Sequence, residues 1–190
     1  MPRKSLRGEL VAAATEQFHT LGYHAAGVKT IADAAHAPKG SFYNHFESKE
    51  ALAVLALEEY GRTRRIPELL DTSVDPLQRL RAHFQFLREE NLAHAFRRGC
   101  LVGDLSVEVA DSSEPVRAAA GRAFANWRDA IASAVGNAQQ AGLVSRAVDA
   151  DTLARFVLNA WEGTLIAARV ERTARPYEAF FTLVFDTLLT

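Results

Sequence analysis

Pro38-Lys39-Gly40-Ser41-Phe42-Tyr43-Asn44-His45-Phe46, followed at once by Glu47-Ser48-Lys49-Glu50, is the stretch on which the reading of this chain turns. On a helical wheel Phe42 and Phe46 lie one turn apart and form a buried stripe. Gly40 and Asn44 fall on the opposite side, with Tyr43 on one flank and Ser41 and His45 on the other. Small, hydrogen-bonding and aromatic residues are what a helix needs to enter a DNA groove without clashing and to hold phosphates beside it.

The pattern continues outward in both directions. Upstream, Val28, Ile31, Ala32 and Ala35 mark a short helix over 28–35, and His36-Ala37 links it to Pro38, a suitable first-turn residue for the next helix. Two short helices and a tight turn make a helix-turn-helix, although this turn lacks the glycine often found there. Before it, Leu6, Leu10, Ala13, Ala14, Phe18 and Leu21 recur at helical spacing from Ser5, and Gly22 stands where a C′ glycine belongs. Downstream, Ser48 is a favoured N-cap for a fourth helix, which Pro67 and Asp71-Thr72-Ser73 bring to an end.

The bulk composition limits the alternatives. Net charge is -1 over 190 residues, so if the chain binds nucleic acid it does so through a local patch and not a general field. A single cysteine excludes an intrachain disulfide and a cysteine-rich zinc site. No apolar run reaches the ~18 residues that span a membrane, and Met1-Pro2-Arg3-Lys4-Ser5 has no apolar core after its charges. These features predict a cytoplasmic all-α protein with no cofactor, no metal and no membrane partner. A helical enzyme and a protein-binding module without operator binding are the alternative classes. No nucleophile-base pair, phosphate-cradling glycine loop or metal spacing favours an enzyme.

Each polar residue near the opening stretch has a role it could fill on DNA. Lys39 begins the third helix, within reach of a base edge or phosphate. Gly40 lets backbone approach closely. Ser41, Tyr43 and His45 offer donors to phosphate oxygens. Lys49 lies in the first turn of the fourth helix, and Lys29 and Thr30 in that of the second, as further phosphate clamps. Arg3, Lys4 and Arg7 add contacts from an N-terminal arm.

Here the sequence resembles the TetR family of bacterial transcriptional repressors. The likeness runs from Leu6 to Leu55 through Ala12-Ala13, Phe18, Leu21-Gly22-Tyr23, Thr30-Ile31-Ala32, Ala35, Lys39-Gly40-Ser41-Phe42-Tyr43, His45-Phe46 and Lys49-Glu50-Ala51-Leu52. The resemblance implies a homodimer that binds a palindromic double-stranded operator and is released by a small-molecule effector. It places the family's phosphate-binding tyrosine, histidine and lysine on Tyr43, His45 and Lys49. Pro38 replaces a serine common in the family, and Asn44 occupies a variable position suited to operator choice. Residues 1–50 are accordingly expected to form a helix-turn-helix DNA-binding domain of three helices, and 51–190 a helical ligand-binding and dimerisation domain.

The second half is less explicit. Asp75-Pro76-Leu77-Gln78 opens a helix in capping-box fashion, Ser113-Glu114-Pro115 a long one ending before Gly142, Asp149 or Asp151 the next, and Pro176 the last. The final two helices are apolar around much of their circumference, as an intersubunit surface requires. Phe84, Phe124, Trp127 and Trp161 are candidates to line an apolar effector pocket; plain core packing is the competing role. His83, His94, Asp104 and Glu108 form no persuasive metal set. Cys100 follows Arg97-Arg98-Gly99 and precedes a helix, two features that stabilise thiolate, with Asp104 opposing them. Gly99-Cys100-Leu101, Leu105-Ser106, Glu108-Val109, Asp111-Ser112-Ser113-Glu114 and Trp161 resemble the branch of the family that contains the N-ethylmaleimide reductase repressor. That resemblance implies electrophile sensing at Cys100. The branch's partner lysine aligns with Arg169, which cannot supply a readily deprotonated amine. Cys100 thus stands as either a sensor or an inert small hydrophobe.

Overall fold

Ser5 opens the first helix, its side-chain oxygen accepting the Gly8 amide at 3.2 Å. The computed structural model describes residues 5–190, apart from the Lys39 side chain. The expected contacts of Arg3, Lys4 and the Lys39 side chain lie outside the described residues. Among those residues the regular structure is helical throughout. Helix α1 spans Leu6–Ala25 and breaks at Gly22, where φ is 79° and ψ is 169°. Leu10, Ala14 and Phe18 face inward. Leu21, expected on the same stripe, is exposed. The place against Phe18 is taken by Tyr23 beyond the break, whose ring stacks on Phe18 with centroids 5.5 Å apart.

Helix α2 (Val28–Ala34) ends in a Schellman turn. The Ala37 N–H donates to the Ala32 carbonyl at 2.9 Å and the His36 N–H to the Asp33 carbonyl at 3.1 Å. His36 itself adopts φ 53°, filling the left-handed position for which the sequence supplies no glycine. Helix α3 is only Lys39–Phe42, shorter than the expected run to Phe46, and Pro38 is its N-cap rather than a first-turn residue. The chain then tightens: Asn44 N–H bonds to the Ser41 carbonyl at 3.2 Å and His45 N–H to the Phe42 carbonyl at 3.0 Å. Phe46 N–H still reaches the Phe42 carbonyl at 3.0 Å, so the two phenylalanines keep a common buried face, ring centroids 5.4 Å apart. Helix α4 (Lys49–Thr63) starts from Ser48, whose hydroxyl oxygen accepts the Ala51 amide at 3.1 Å. It packs along α1 through Leu52, Ala53, Ala56 and Leu57.

The chain forms two compact units. One holds Met1–Thr63 and Leu101–Ala123, so α6 (Leu101–Val109) packs on α1 rather than with its sequence neighbours. Where the sequence suggests a line near residue 50, this unit runs on to Thr63 and includes a later segment, because α1, α4 and α6 share apolar faces. The other unit holds Arg64–Cys100 and Phe124–Thr190. Its first element is a 3-10 turn, Ile66–Leu70, in place of an irregular link. Helix α5 (Pro76–Ala93) is capped by Asp75, which accepts the Leu77 and Gln78 amides at 3.0 and 2.9 Å. Helix α7 (Glu114–Gln140) contributes to both units, and α8 (Ala150–Glu171) begins at Asp149, which accepts the Thr152 amide at 3.0 Å. Helix α9 (Arg175–Leu183) continues into a π-helical turn, Val184–Leu188. Helix α8 turns Leu153, Val157, Trp161 and Leu165 to the core and leaves Phe156 exposed, as a helix apolar around much of its circumference does.

Candidate functional site

Phe42 and Phe46 bury their rings, and this anchoring turns Tyr43, Asn44 and His45 outward together. Tyr43 is 63 % exposed although its ring lies only 5.1 Å from that of Phe42. An aromatic hydroxyl held out by a buried neighbour is suited to a phosphate oxygen. Gly40 is exposed, and a Cβ built on it meets nothing within 4 Å. The fold has room for a side chain there; the space is open toward whatever the surface approaches. Ser41 is half-buried, and its hydroxyl donates to the Pro38 carbonyl at 2.6 Å, so its proton is engaged inside the turn. Lys29 and Thr30 are exposed in the first turn of α2. The Lys29 ammonium pairs with Asp33 at 2.6 Å, and this pairing raises its pKa. A surface pair of this kind is screened by solvent and readily exchanges for a phosphate. Arg7 lies over the Phe46 ring, 5.4 Å from its centroid.

Lys49 is placed differently from the other cations. Its ammonium donates to the Tyr23 carbonyl at 2.9 Å and sits 4.1 Å from the centroid of the Tyr23 ring. Burial lowers its pKa, and the charge of Glu108 opposes that shift. An ammonium has three N–H donors, so the Tyr23 carbonyl leaves capacity for a phosphate while fixing where the charge stands. Glu108 is a residue to which the sequence reading gave no role at this surface. There it was a carboxylate unsuited to metal and one of the residues shared with the family branch; in the fold it accepts the Tyr23 amide at 2.8 Å. No local spacing marks that contact, since it joins residues 85 apart.

The second unit gathers three of the four proposed pocket aromatics. Phe84 lies 5.0 Å from Trp161 and 6.5 Å from Trp127, centroid to centroid, with Phe180 5.1 Å away. All four are buried. Phe124 is half-buried on α7, one turn before Trp127. His83, also buried, accepts the Trp127 indole N–H on Nε2 at 2.9 Å. That bond assigns the ring proton to Nδ1, an enclosed atom with no protein acceptor. Burial, with the charges of Arg64 and Arg65, pushes the His83 pKa down to about 3. The Tyr177 hydroxyl is likewise enclosed without a protein partner, and burial raises its pKa. The core therefore encloses polar donors within a packed aromatic cluster. Cys100 is buried and Arg169 half-buried. Among the described residues no group of His, Cys, Asp and Glu could hold a metal ion, and no helix is long and apolar enough to cross a membrane.

Comparison with known proteins matches both halves of the chain. Residues 10–56 fit the model for bacterial regulatory proteins of the tetR family, and residues 76–184 the tetracyclin repressor-like C-terminal domain. The transcriptional repressor DhaR of Mycobacterium sp. (strain GP1) is 37 % identical over 192 residues, covering 100 % of this chain and 95 % of its own. A crystal structure of regulatory protein TetR from Rhodobacter sphaeroides superposes with a TM-score of 0.83 at 35 % identity, covering 91 % of this chain and 93 % of that one. The reduced form of Escherichia coli NemR superposes at 0.87 with 27 % identity, covering 97 % and 98 %. The likeness to the NemR branch read from Gly99-Cys100-Leu101 thus extends over the whole chain.

Proposed function

Because the chain belongs to the TetR family of bacterial regulatory proteins, we propose that it is a cytoplasmic repressor, dimeric on a palindromic operator and released by a small apolar or electrophilic effector. It is a DNA-binding transcriptional regulator, not an enzyme. The observation that carries the operator reading is the joint outward placement of Tyr43, Asn44 and His45 over buried Phe42 and Phe46. Lys29, Thr30 and Lys49 stand ready for the flanking phosphates; Lys39, Gly40 and Ser41 begin the recognition helix. Two such helices must meet major grooves about one turn apart, roughly 34–36 Å.

Support for the homodimer comes from α8 and α9. Phe156, Ala160, Gly163, Ala179 and Leu183 line an open apolar groove between them, and Ile166 and Val170 are exposed on α8. A second copy of the same surface would cover these groups. Support for the effector comes from the enclosed His83 donor beside the aromatic cluster of Phe84, Trp127 and Trp161. Thiol sensing at Cys100 is the second reading, favoured by NemR having been solved in a form described as reduced and by the position of Cys100 directly before α6.

A gel shift at low salt with the DNA upstream of the chain's own gene tests the core of this reading. Wild type should retard a palindromic duplex, and Tyr43→Ala should lose at least tenfold in affinity. No retardation of any such duplex, or Tyr43→Ala binding as wild type, refutes it. If Cys100 senses electrophiles, Cys100→Ser loses release by electrophiles alone.

A further inference from the structure

Glu108 stands apart from the outward residues of α3 and its turn, yet its carboxylate ties α6 to α1. It projects from α6 onto the break in α1. Oε2 accepts the Tyr23 amide at 2.8 Å and the His24 amide at 3.3 Å. These are the first amides after Gly22, the ones a helical turn leaves without partners at its start. The Glu108 backbone carbonyl also meets the His24 imidazole at 3.2 Å. The approach is close enough that a Cβ on residue 22 would fall 2.5 Å from Oε1. Gly22 is needed for that contact as well as for its φ of 79°.

The same turn holds Lys49. The Tyr23 residue that gives its amide to Glu108 gives its carbonyl and ring face to the Lys49 ammonium. Ala26 and Gly27 then lead directly into α2 and α3, helices of seven and four residues. Helices so short take their orientation from what they are attached to.

We propose that Glu108 is a positioning residue for operator binding. Its carboxylate locks the Gly22–His24 turn to α6, and through Tyr23 it sets the Lys49 ammonium and the entry to the helix-turn-helix in the DNA-gripping arrangement. The proposal rests on the operator-binding reading above. It makes a prediction opposite to simple charge arithmetic. Removing a negative charge near a phosphate-binding lysine should tighten DNA binding; loss of the lock should weaken it.

The test uses the full chain and duplexes enriched by wild type from a randomised pool. Glu108→Ala should weaken binding to an enriched duplex at least tenfold. It should also flatten the dependence of log affinity on log salt by about 1.8, the loss of one phosphate contact from each protomer of the dimer. Glu108→Gln, whose amide oxygen still accepts from Tyr23, should lose less. Gly22→Ala should reproduce the loss with Glu108 retained. The melting temperature and active fraction of each variant are measured alongside. Binding by Glu108→Ala as tight as or tighter than wild type overturns the proposal. So does a loss that only follows the unfolded fraction, with the salt slope unchanged, since that is what a purely structural carboxylate would give. Failure of wild type to enrich any duplex removes the operator reading and this proposal with it.

Discussion

The two units invest their chemistry in opposite directions. In the first, the interior is mostly alanine, leucine, valine and phenylalanine, with Tyr23, Tyr60 and His19 also buried, and Tyr43, Asn44 and His45 point out. In the second, Trp127, Trp161, Tyr177 and Phe180 fill the interior, and polar donors such as His83 are enclosed with them. A surface that grips a large, charged polymer needs only a rigid backing. A site for a small molecule needs its polar groups under cover, where each hydrogen bond discriminates more strongly. The difference also sets how each unit should fail when altered.

The largest effect is expected at the aromatic interior. Trp161→Ala should lower the unfolding free energy by about 3–5 kcal/mol, read from urea denaturation. A loss under about 1 kcal/mol would mean that Trp161 lines yielding space and not packed core. At the surface, Asn44→Ala should leave stability unchanged and alter sequence preference, with base discrimination at one operator position falling by about 1–3 kcal/mol. Selection from a randomised duplex pool reads this directly; an unchanged preferred site would remove Asn44 from sequence reading.

The enclosed histidine should make the second unit acid-sensitive. The His83 pKa is about 3 in the fold, against about 6.5 in an unfolded chain. Between those values the unfolded chain binds the extra proton, so stability falls as pH drops from about 6.5 toward 3, by at most ~1.4 kcal/mol per pH unit from this group. His83→Gln should flatten that part of the stability profile. An identical slope in the variant would show that His83 is not held neutral. The smallest effect is expected at the cap of α4: Ser48→Ala should cost about 1 kcal/mol, visible in chemical denaturation.

How much was legible beforehand follows from distance along the chain. The helix-turn-helix could be read because its code is local: Phe42 and Phe46 define a face one turn apart, Ser48 caps the next helix, and the outward residues lie between them. Asp75 and Asp149 were legible for the same reason, since an N-cap bonds within three residues. The length of α3 was not, because spacing shows which residues share a face but not where helical geometry tightens into turns. Leu21 was misplaced inside for a related reason. Periodicity marks an apolar stripe, and only the neighbours decide which of its members are covered.

The sequence by itself determined the fold class, the position of the helix-turn-helix and the residues that its surface could offer, because short-range patterns and caps carry that information. The tertiary structure decided what those residues are held by. It brought α6 onto α1, made Glu108 the partner of the Gly22–His24 turn, and set Lys49 on Tyr23. It also joined His83 to Trp127 across 44 residues of chain. Such pairings depend on which helices lie side by side, a property of packed faces that no local spacing encodes.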